Sequence, residues 1–401
     1  MSTRLSGDWV VMVLLSVLLA FASISTDLYL PAMPAMAHAL QASAGQIEFS
    51  ISSFLLGFTA GQLFWGPLSD RLGRRTPIVA GLLLFIVGSA GCAVAGSAIA
   101  VIICRVVQAV GACAGVVLGR AMVSDLHSGH RAARMLSTLM TIMAVAPLLG
   151  PSAGSMILRF ASWRAIFWVQ AGVGVLTVAS LRVLPETLPV ARRSTHSLSV
   201  AFQGYRDLLA NRKVLAYAGA VGCFYGGFFA YLAGTPYAYM AYYHLPPESF
   251  SLLFAAGVIG IMLTNQINRH LVARVGSVSL LRRGAYMAAA SAVVLAADAT
   301  SGWGSLAGLV LPMFAFIAAS GFIAANSIVG ALEVFPYRAG AVSAVVGACQ
   351  YGGGIFGSSL VGALADGTPR PMAWVIAGFA LCSLGCVLFL LRRAPQLPRC
   401  A

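Results

Sequence analysis

The chain has 401 residues, of which 59% are hydrophobic and only 9% are charged, and its mean hydropathy is +0.89. This composition excludes a soluble globular protein, because a soluble domain of this length does not need so much apolar surface. The formal net charge is +14, and all but one of the 25 basic residues are arginine. The arginines lie in short segments between apolar runs, a pattern typical of membrane topology rather than of nucleic-acid binding.

Apolar runs of about 20 residues recur along the chain, and each is long enough to cross a hydrocarbon core of about 30 Å. We predict twelve membrane spans in two sets of six. The first set comprises Trp9–Pro31, Ile47–Trp65, Thr76–Ala95, Ala98–Met122, Met135–Phe160 and Ala165–Leu184. The second set comprises Val214–Tyr239, Ser249–Gln266, Leu281–Ala299, Ser305–Phe335, Gly340–Leu364 and Met372–Leu391. The predicted fold class is an all-α polytopic membrane protein, with residues 1–188 and 214–401 as six-helix halves and residues 189–213 as a cytoplasmic linker.

Loop arginines are concentrated on one side of this predicted topology. The side opposite the linker and the termini holds only Arg159, Arg164 and Arg370. Because basic loops remain in the cytoplasm, the asymmetry predicts that both termini are cytoplasmic. A weak internal repeat supports two halves, since Asp70-Arg71 follows predicted span two and Asn268-Arg269 follows predicted span eight.

Spans one and four carry opposite charges at comparable predicted depth. Asp27 lies about 6 Å from the outer end of span one, and Arg105 lies about 10 Å into span four. A charge at this depth costs about 2.5–3.5 kcal/mol, so we expect the two residues to pair, with Tyr29 and Gln108 as polar neighbours. Desolvation favours the protonated form of a carboxylate and a nearby arginine opposes it, which suits proton coupling. An interfacial Asp27 and a purely structural ion pair are the alternatives.

A charged loop separates spans two and three. Segment Gly66–Arg75 has four charges within its last six positions. Its first two residues, a glycine and a proline, are expected to end span two. Asp70 can pair with Arg74 or face the positive end of another helix, such as span eleven beginning near Gly340. Asp125, at the inner end of span four, is a further acid on this side. A basic topogenic loop with an incidental acid is the alternative.

Span five combines two prolines with regularly spaced small residues. Pro147 and Pro151 lack a backbone N–H and should bend the helix. Ala146, Gly150 and Gly154 share one face, where small residues permit close approach of another helix. Ordinary packing of a membrane helix would explain the same pattern.

Span seven is rich in aromatic residues. Tyr225, Phe228 and Tyr231 are candidates for a substrate pocket, although packing alone is the alternative for such a stripe. Tyr237 and Tyr239 are expected in the aromatic belt at the outer interface. The sequence contains no nucleotide-binding loop G-x-x-x-x-G-K-[ST] and no metal-ligand spacing, so we expect no cofactor, no metal and no enzymatic activity.

The pattern G-x-x-x-D-R-x-G-R-R in segment Gly66–Arg75 resembles the signature loop of the major facilitator superfamily. Segments Thr26–Pro31, Ser162–Phe167 and Pro185–Pro189 resemble the Bcr/CflA drug-resistance branch, and the resemblance covers almost the whole chain. It implies the major facilitator fold and the export of bicyclomycin, chloramphenicol and related drugs in exchange for protons. The prolines and glycines around Gly150 resemble the antiporter motif, which helps to seal the outer side of the pathway.

The resemblance also implies roles for individual residues. It implies that Arg105 contributes to proton coupling or substrate positioning, and it supports a titratable Asp27; the glycine usual in this motif is replaced here by Ala109. An acid such as Asp125 would pair with Arg74 and latch the inner side. The residues assigned to gating and the signature loop are Gly66, Asp70, Arg71, Gly73, Arg74, Arg75 and Asp125. Those assigned to the antiporter motif are Pro147, Gly150, Pro151 and Gly154.

We therefore expect a proton-coupled multidrug efflux transporter of the bacterial inner membrane that exports small amphiphilic antibiotics by alternating access. The proton gradient would supply the energy. The expected partners are a drug, protons and membrane lipid, with no nucleic acid, and the expected state is a monomer. An uptake symporter or a metabolite exporter on the same fold is the alternative, although the span-five motif favours antiport by resemblance. A membrane enzyme or receptor is a third class, which the missing catalytic constellation and the repeat disfavour.

Overall fold

The computed structural model describes residues 2–126, 129–183, 186–189, 193, 208–335 and 339–392. Most of these residues are α-helical, and no β-strand occurs in the described ranges, which confirms the predicted all-α class. Within the same ranges, nine helical segments are long and apolar enough to cross a membrane. The chain divides into two compact units.

The first unit comprises Met1–Leu198, Ala233–Ala255 and Gly362–Gly367. Its helical elements up to residue 183 are α1 (Ser2–Asp27), a 3-10 turn (Leu30–Ala32), α2 (Met33–Ala39), α3 (Ala44–Leu72), α4 (Arg75–Val94), α5 (Ala98–Leu126), α6 (Gly129–Phe160), α7 (Trp163–Ser180) and a second 3-10 turn (Leu181–Val183). Helix α5 packs against α1, α3 and α4, so the side chains on these faces lie in the interior of the unit, whereas Ile99 and Ile103 are exposed.

The second unit comprises Ser199–Leu232, Ala256–Val361 and Thr368–Ala401. The remaining elements of the chain are α8 (Arg212–Pro236), a π-helical turn (Tyr237–Tyr242), α9 (Pro247–Val275), α10 (Ser277–Ser301), α11 (Ser305–Ala318), α12 (Ser320–Val334), α13 (Ala339–Leu364) and α14 (Arg370–Arg392). The end of α8, the π turn, the start of α9 and the last turn of α13 are grouped with the first unit.

Two predicted span ends are wrong, because both helices continue into the charged segments that follow them. Helix α3 passes through Pro67 and ends at Gly73, whose φ of +92° favours glycine. The proline removes one backbone donor, but the Ser69 hydroxyl donates to the Gly66 carbonyl in the same turn (2.8 Å). Helix α9 continues to Val275, so the Asn268-Arg269 pair lies inside a helix rather than after one.

Part of the predicted linker lies outside the described residues, namely 190–192 and 194–207, as do residues 336–338 just before predicted span eleven. The division into two halves at residues 189–213, and the facing of Asp70 toward the start of span eleven, therefore stay predictions.

Candidate functional site

Asp27 is the last residue of α1 and is 5% exposed. Its carboxylate accepts a hydrogen bond from the Thr26 hydroxyl (2.9 Å). Helix α6 packs directly on this turn, since a Cβ added to Gly150 would lie 2.8 Å from the Asp27 Cβ, and one added to Gly154 would collide with the Leu28 carbonyl. The small-residue face of span five and the buried acid of span one, which are separate features in the sequence, therefore form a single contact.

Arg105 is completely buried within α5, at 0% exposure. Its Nη1 donates to the Ser25 carbonyl (2.8 Å) and to Gln108 Oε1 (2.7 Å). Its Cζ lies 4.3 Å from the ring centroids of both Tyr29 and Phe54. Nε and Nη2 form no hydrogen bond. The positive charge is therefore held by a carbonyl, an amide and two aromatic rings.

The predicted ion pair between Asp27 and Arg105 is not formed. Asp27 and Arg105 are joined by no nitrogen–oxygen contact within 4.0 Å, whereas Arg74 forms ion pairs with Asp70 and Asp125. The physical reason is that Arg105 Nη1 already has neutral acceptors on α1 and α5, whereas Asp27 lies at the α1–α6 contact. The two charges still interact electrostatically at longer range.

A buried polar network extends from Arg105 to three further helices. Gln108 Nε2 donates to Ser89 Oγ on α4 (2.8 Å) and to Gln170 Oε1 on α7 (2.7 Å). Gln170 Nε2 donates in turn to the Ile24 carbonyl on α1 (3.1 Å). Sequence reasoning predicted Gln108 as a neighbour of Arg105 but missed the other two side chains. The signal for Gln170 was a lone amide within an apolar span.

The aromatic candidates of α8 form a cluster within the second unit. The ring centroids of Tyr225 and Phe228 are 5.5 Å apart, and those of Phe228 and Tyr231 are 6.1 Å apart. Phe229 extends the cluster to Tyr351 on α13 (6.4 Å). Tyr29 and Gln108 belong to the first unit, so the five candidate substrate residues are distributed over both units.

Tyr239 does not lie in an interfacial belt, and this prediction is wrong. It is 3% exposed and packs near Phe250 of α9, with ring centroids 6.3 Å apart. Tyr237 donates from its hydroxyl to the Met33 carbonyl at the start of α2 (3.2 Å). Both tyrosines are held by contacts within the first unit, because the chain after α8 packs against its helices.

Arg74 is the centre of the signature loop. Its Nη1 donates to Asp70 Oδ1 (2.6 Å) and to Ser69 Oγ (2.7 Å), and its Nε donates to Asp125 Oδ2 (2.9 Å). The expected pairing of Arg74 with both acids is thus present. It connects the end of α3, the start of α4 and the end of α5.

Glu186 caps α4 from a distant part of the chain. It accepts hydrogen bonds from the backbone N–H groups of Arg74 (2.8 Å), Arg75 (3.1 Å) and Leu188 (3.0 Å). Burial alone would raise the pKa of Glu186, but these hydrogen bonds and the nearby Arg193 lower it below the usual range. No local pattern in segment Pro185–Pro189 indicates this contact, because the capped helix begins more than 100 positions earlier in the chain.

A family model of the Major Facilitator Superfamily matches residues 15–358. The chain belongs to this superfamily. It is 34% identical over 383 residues to an uncharacterized MFS-type transporter, YdgK, of Bacillus subtilis, with 94% of this chain and 93% of the relative covered. It is 28% identical to a bicyclomycin resistance protein homolog of Haemophilus influenzae, with 92% of each covered.

A third relative is a chloramphenicol resistance protein of Pseudomonas aeruginosa, 33% identical over 365 residues, with 90% of this chain and 84% of the relative covered. Among solved structures, the chain is similar to a D-xylose-proton symporter, with a TM-score of 0.75 at 17% identity and coverage of 97% and 98%. That identity shows the fold alone. The superfamily and the drug-resistance branch predicted from the signature segments are confirmed, and the protein is a multi-pass membrane protein.

Proposed function

We propose that the protein exports small amphiphilic antibiotics of the bicyclomycin or chloramphenicol type in exchange for protons. The observation that carries the proposal is the Asp27 carboxylate, buried at the contact with Gly150 and Gly154 of the antiporter motif. The relatives named for bicyclomycin and chloramphenicol resistance support the substrate class.

Asp27 is suited to bind and release a proton. A buried carboxylate with one neutral donor has little to stabilise its negative charge, so it takes up a proton more readily than an exposed one. Arg105 acts on it at long range without neutralising it in a direct pair. Movement of α1 against α5 or α6 would change both the burial of Asp27 and its distance from Arg105. Alternating access could in this way switch its proton affinity.

The Arg74 cluster supports a latch on the side predicted to face the cytoplasm. It joins Asp70, Ser69 and Asp125 through one guanidinium that is largely buried. Charge-assisted hydrogen bonds of this kind hold helix ends in one geometry. Opening that side would have to separate Arg74 from at least one of these acceptors.

The test is drug-induced proton release from detergent-solubilised protein, followed with a pH-sensitive dye. The parent protein should release protons when the drug binds. Asp27→Asn, which mimics the protonated form, should bind the drug and release none, whereas Asp27→Glu should keep partial release. Glu333→Gln is the matched control, because it removes an exposed carboxylate at the end of α12.

Two results would contradict the proposal. If Asp27→Asn releases protons as the parent does, the coupling acid lies elsewhere. If the parent binds the drug without releasing protons, drug–proton exchange is wrong.

A further inference from the structure

Glu48, in the second turn of α3, is a buried acid without a partner. The residue is 2% exposed, and no group donates a hydrogen bond to its Oε2. Glu48 takes part in no ion pair with the described residues. An ionised carboxylate in such a place is strongly destabilising, so the structure accommodates Glu48 most easily as a neutral, protonated group.

The last turn of α13 crosses α3 at this point with its backbone in direct contact. A Cβ added to Gly45 would collide with the Gly362 carbonyl, and one added to Gly362 would lie 3.0 Å from the Gly45 carbonyl oxygen. The same Cβ would lie 3.5 Å from the Glu48 Cβ and 3.6 Å from Phe49. The glycine–glycine crossing therefore packs against Glu48 at its Cβ and helps to bury the residue, so separation of the crossing would bring water to this side chain.

Titratable and charged groups on the surrounding elements leave Glu48 without a counter-ion. They are Tyr237 on the π turn, Tyr29 just before the first 3-10 turn, His38 on α2, Arg105 on α5 and Asp366 after α13. Tyr237 interacts electrostatically with Glu48 but donates its hydroxyl to the Met33 carbonyl. Arg105 is stacked on Phe54, six positions further along α3.

We propose that Glu48 is a second proton-binding residue of this protein. Its carboxyl holds a proton while α3 and α13 are crossed at Gly45 and Gly362, and it transfers that proton to water when the crossing separates. The O–H bond breaks, water accepts the proton, and the carboxylate becomes hydrated. The proton enters and leaves at the same end of α3, so it is not carried across the membrane and adds nothing to the number of protons exchanged for a drug. Glu48 instead sets the pH at which the crossing opens.

Proton linkage gives the size and sign of the effect. If each opening releases one proton, the equilibrium constant for opening rises about tenfold per pH unit while the closed form stays protonated. Opening is thus favoured by high pH, by about tenfold between about pH 6 and about pH 7.

The experiment is hydrogen–deuterium exchange of peptides spanning residues 44–50 and 360–367, measured on the full chain in lipid nanodiscs and corrected for the intrinsic pH dependence of exchange. In the parent, protection of both peptides should fall steeply with rising pH. In Glu48→Gln, which keeps the shape of a protonated acid, both peptides should stay protected at every pH measured. Glu333→Gln, which removes an exposed carboxylate at the end of α12, should retain the pH dependence of the parent. No drug is present, so the outcome is independent of whether the protein exports antibiotics.

A pH dependence in Glu48→Gln equal to that of the parent would overturn the proposal, as would its loss in Glu333→Gln. If Glu48→Gln does not fold, Gly45→Ala is the second variant. Its Cβ would collide with the Gly362 carbonyl and force the crossing apart, so both peptides should exchange faster at every pH and reach the open state at lower pH. Exchange of Gly45→Ala identical to that of the parent would contradict a crossing that covers Glu48.

Discussion

At the scale of single residues, the acids of the first unit differ in what surrounds their carboxylates. Asp70, Asp125 and Glu186 accept hydrogen bonds from a guanidinium or from backbone N–H groups. Asp27 has one neutral donor, and Glu48 Oε2 has none. Groups of the first kind are stable as anions, whereas groups of the second kind favour a proton. Asp27 and Glu48, which accept no hydrogen bond from a guanidinium or a backbone N–H, are therefore the acids suited to proton chemistry.

Gly150 gives a direct test of how tightly Asp27 is positioned. In Gly150→Ala, the new Cβ would lie 2.8 Å from the Asp27 Cβ, so α6 or the end of α1 must shift. We expect a loss of about 1–3 kcal/mol of stability from overpacking, together with at least a tenfold loss of drug export. Thermal unfolding in detergent and resistance of an efflux-deficient host measure the two effects.

Gly172→Ala in α7 is the matched control, because its Cβ would meet nothing within 4 Å. It should unfold and export as the parent does. Equal behaviour of the two variants would show that α6 does not need its glycine at the Asp27 contact.

The position within the predicted span was enough to identify Asp27 as a candidate proton-binding acid, but it could not identify Glu48. Asp27 lies one turn inside the outer end of predicted span one, where a charge requires a reason. Glu48 is the second residue of predicted span two, which is also the ordinary position of an acid at the membrane interface. Only the contact between Gly45 and Gly362, more than 300 positions apart in the chain, shows that it is buried. The contacts of Arg105 with the Ser25 carbonyl and the Tyr29 ring likewise depend on tertiary packing, which a local sequence pattern cannot predict.

At the scale of elements, helix ends depend on contacts that are distant in sequence. Helix α3 continues past Pro67 because its end is held by Arg74, whose acceptors include Asp125 on α5. Helix α4 begins where Glu186 accepts the backbone N–H groups of Arg74 and Arg75. A local rule that ends a helix at glycine and proline cannot include these contacts, which is why the predicted end of span two was wrong.

The cap on α4 should be sensitive to acid. The pKa of Glu186 is lowered in the folded protein, so its stabilising contribution is complete above its ordinary value of about 4.3 and is lost as the pH falls through the lowered value. Hydrogen exchange of a peptide covering residues 74–78, corrected for intrinsic rates, should therefore rise below about pH 4. Glu186→Gln should exchange faster at neutral pH and show no such acid transition. An acid transition that persists in the glutamine variant would assign it to another carboxyl.

At the scale of the whole molecule, class and family were predictable from the sequence because their signals are local. A span is recognised by its length and apolar composition, and the signature loop by ten consecutive residues, Gly66–Arg75. The grouping of Ala233–Ala255 and Gly362–Gly367 with the first unit has no such signal, since it depends on which helix ends pack together. The sequence therefore predicts the fold class better than the contacts at the helix ends.

Orientation in the membrane is the property of the whole molecule that the arginine distribution predicts. Basic segments remain in the cytoplasm, and the predicted outer side contains only Arg159, Arg164 and Arg370. Ser301, an exposed residue at the end of α10, should then face outside, and Lys213, exposed in the first turn of α8, should face the cytoplasm. In a variant without the eight native cysteines, Ser301→Cys should react with a membrane-impermeant maleimide in intact cells. Lys213→Cys should react only after permeabilisation. The opposite labelling would reverse the topology and place the Arg74 cluster on the outer side, where it could not act as a cytoplasmic latch.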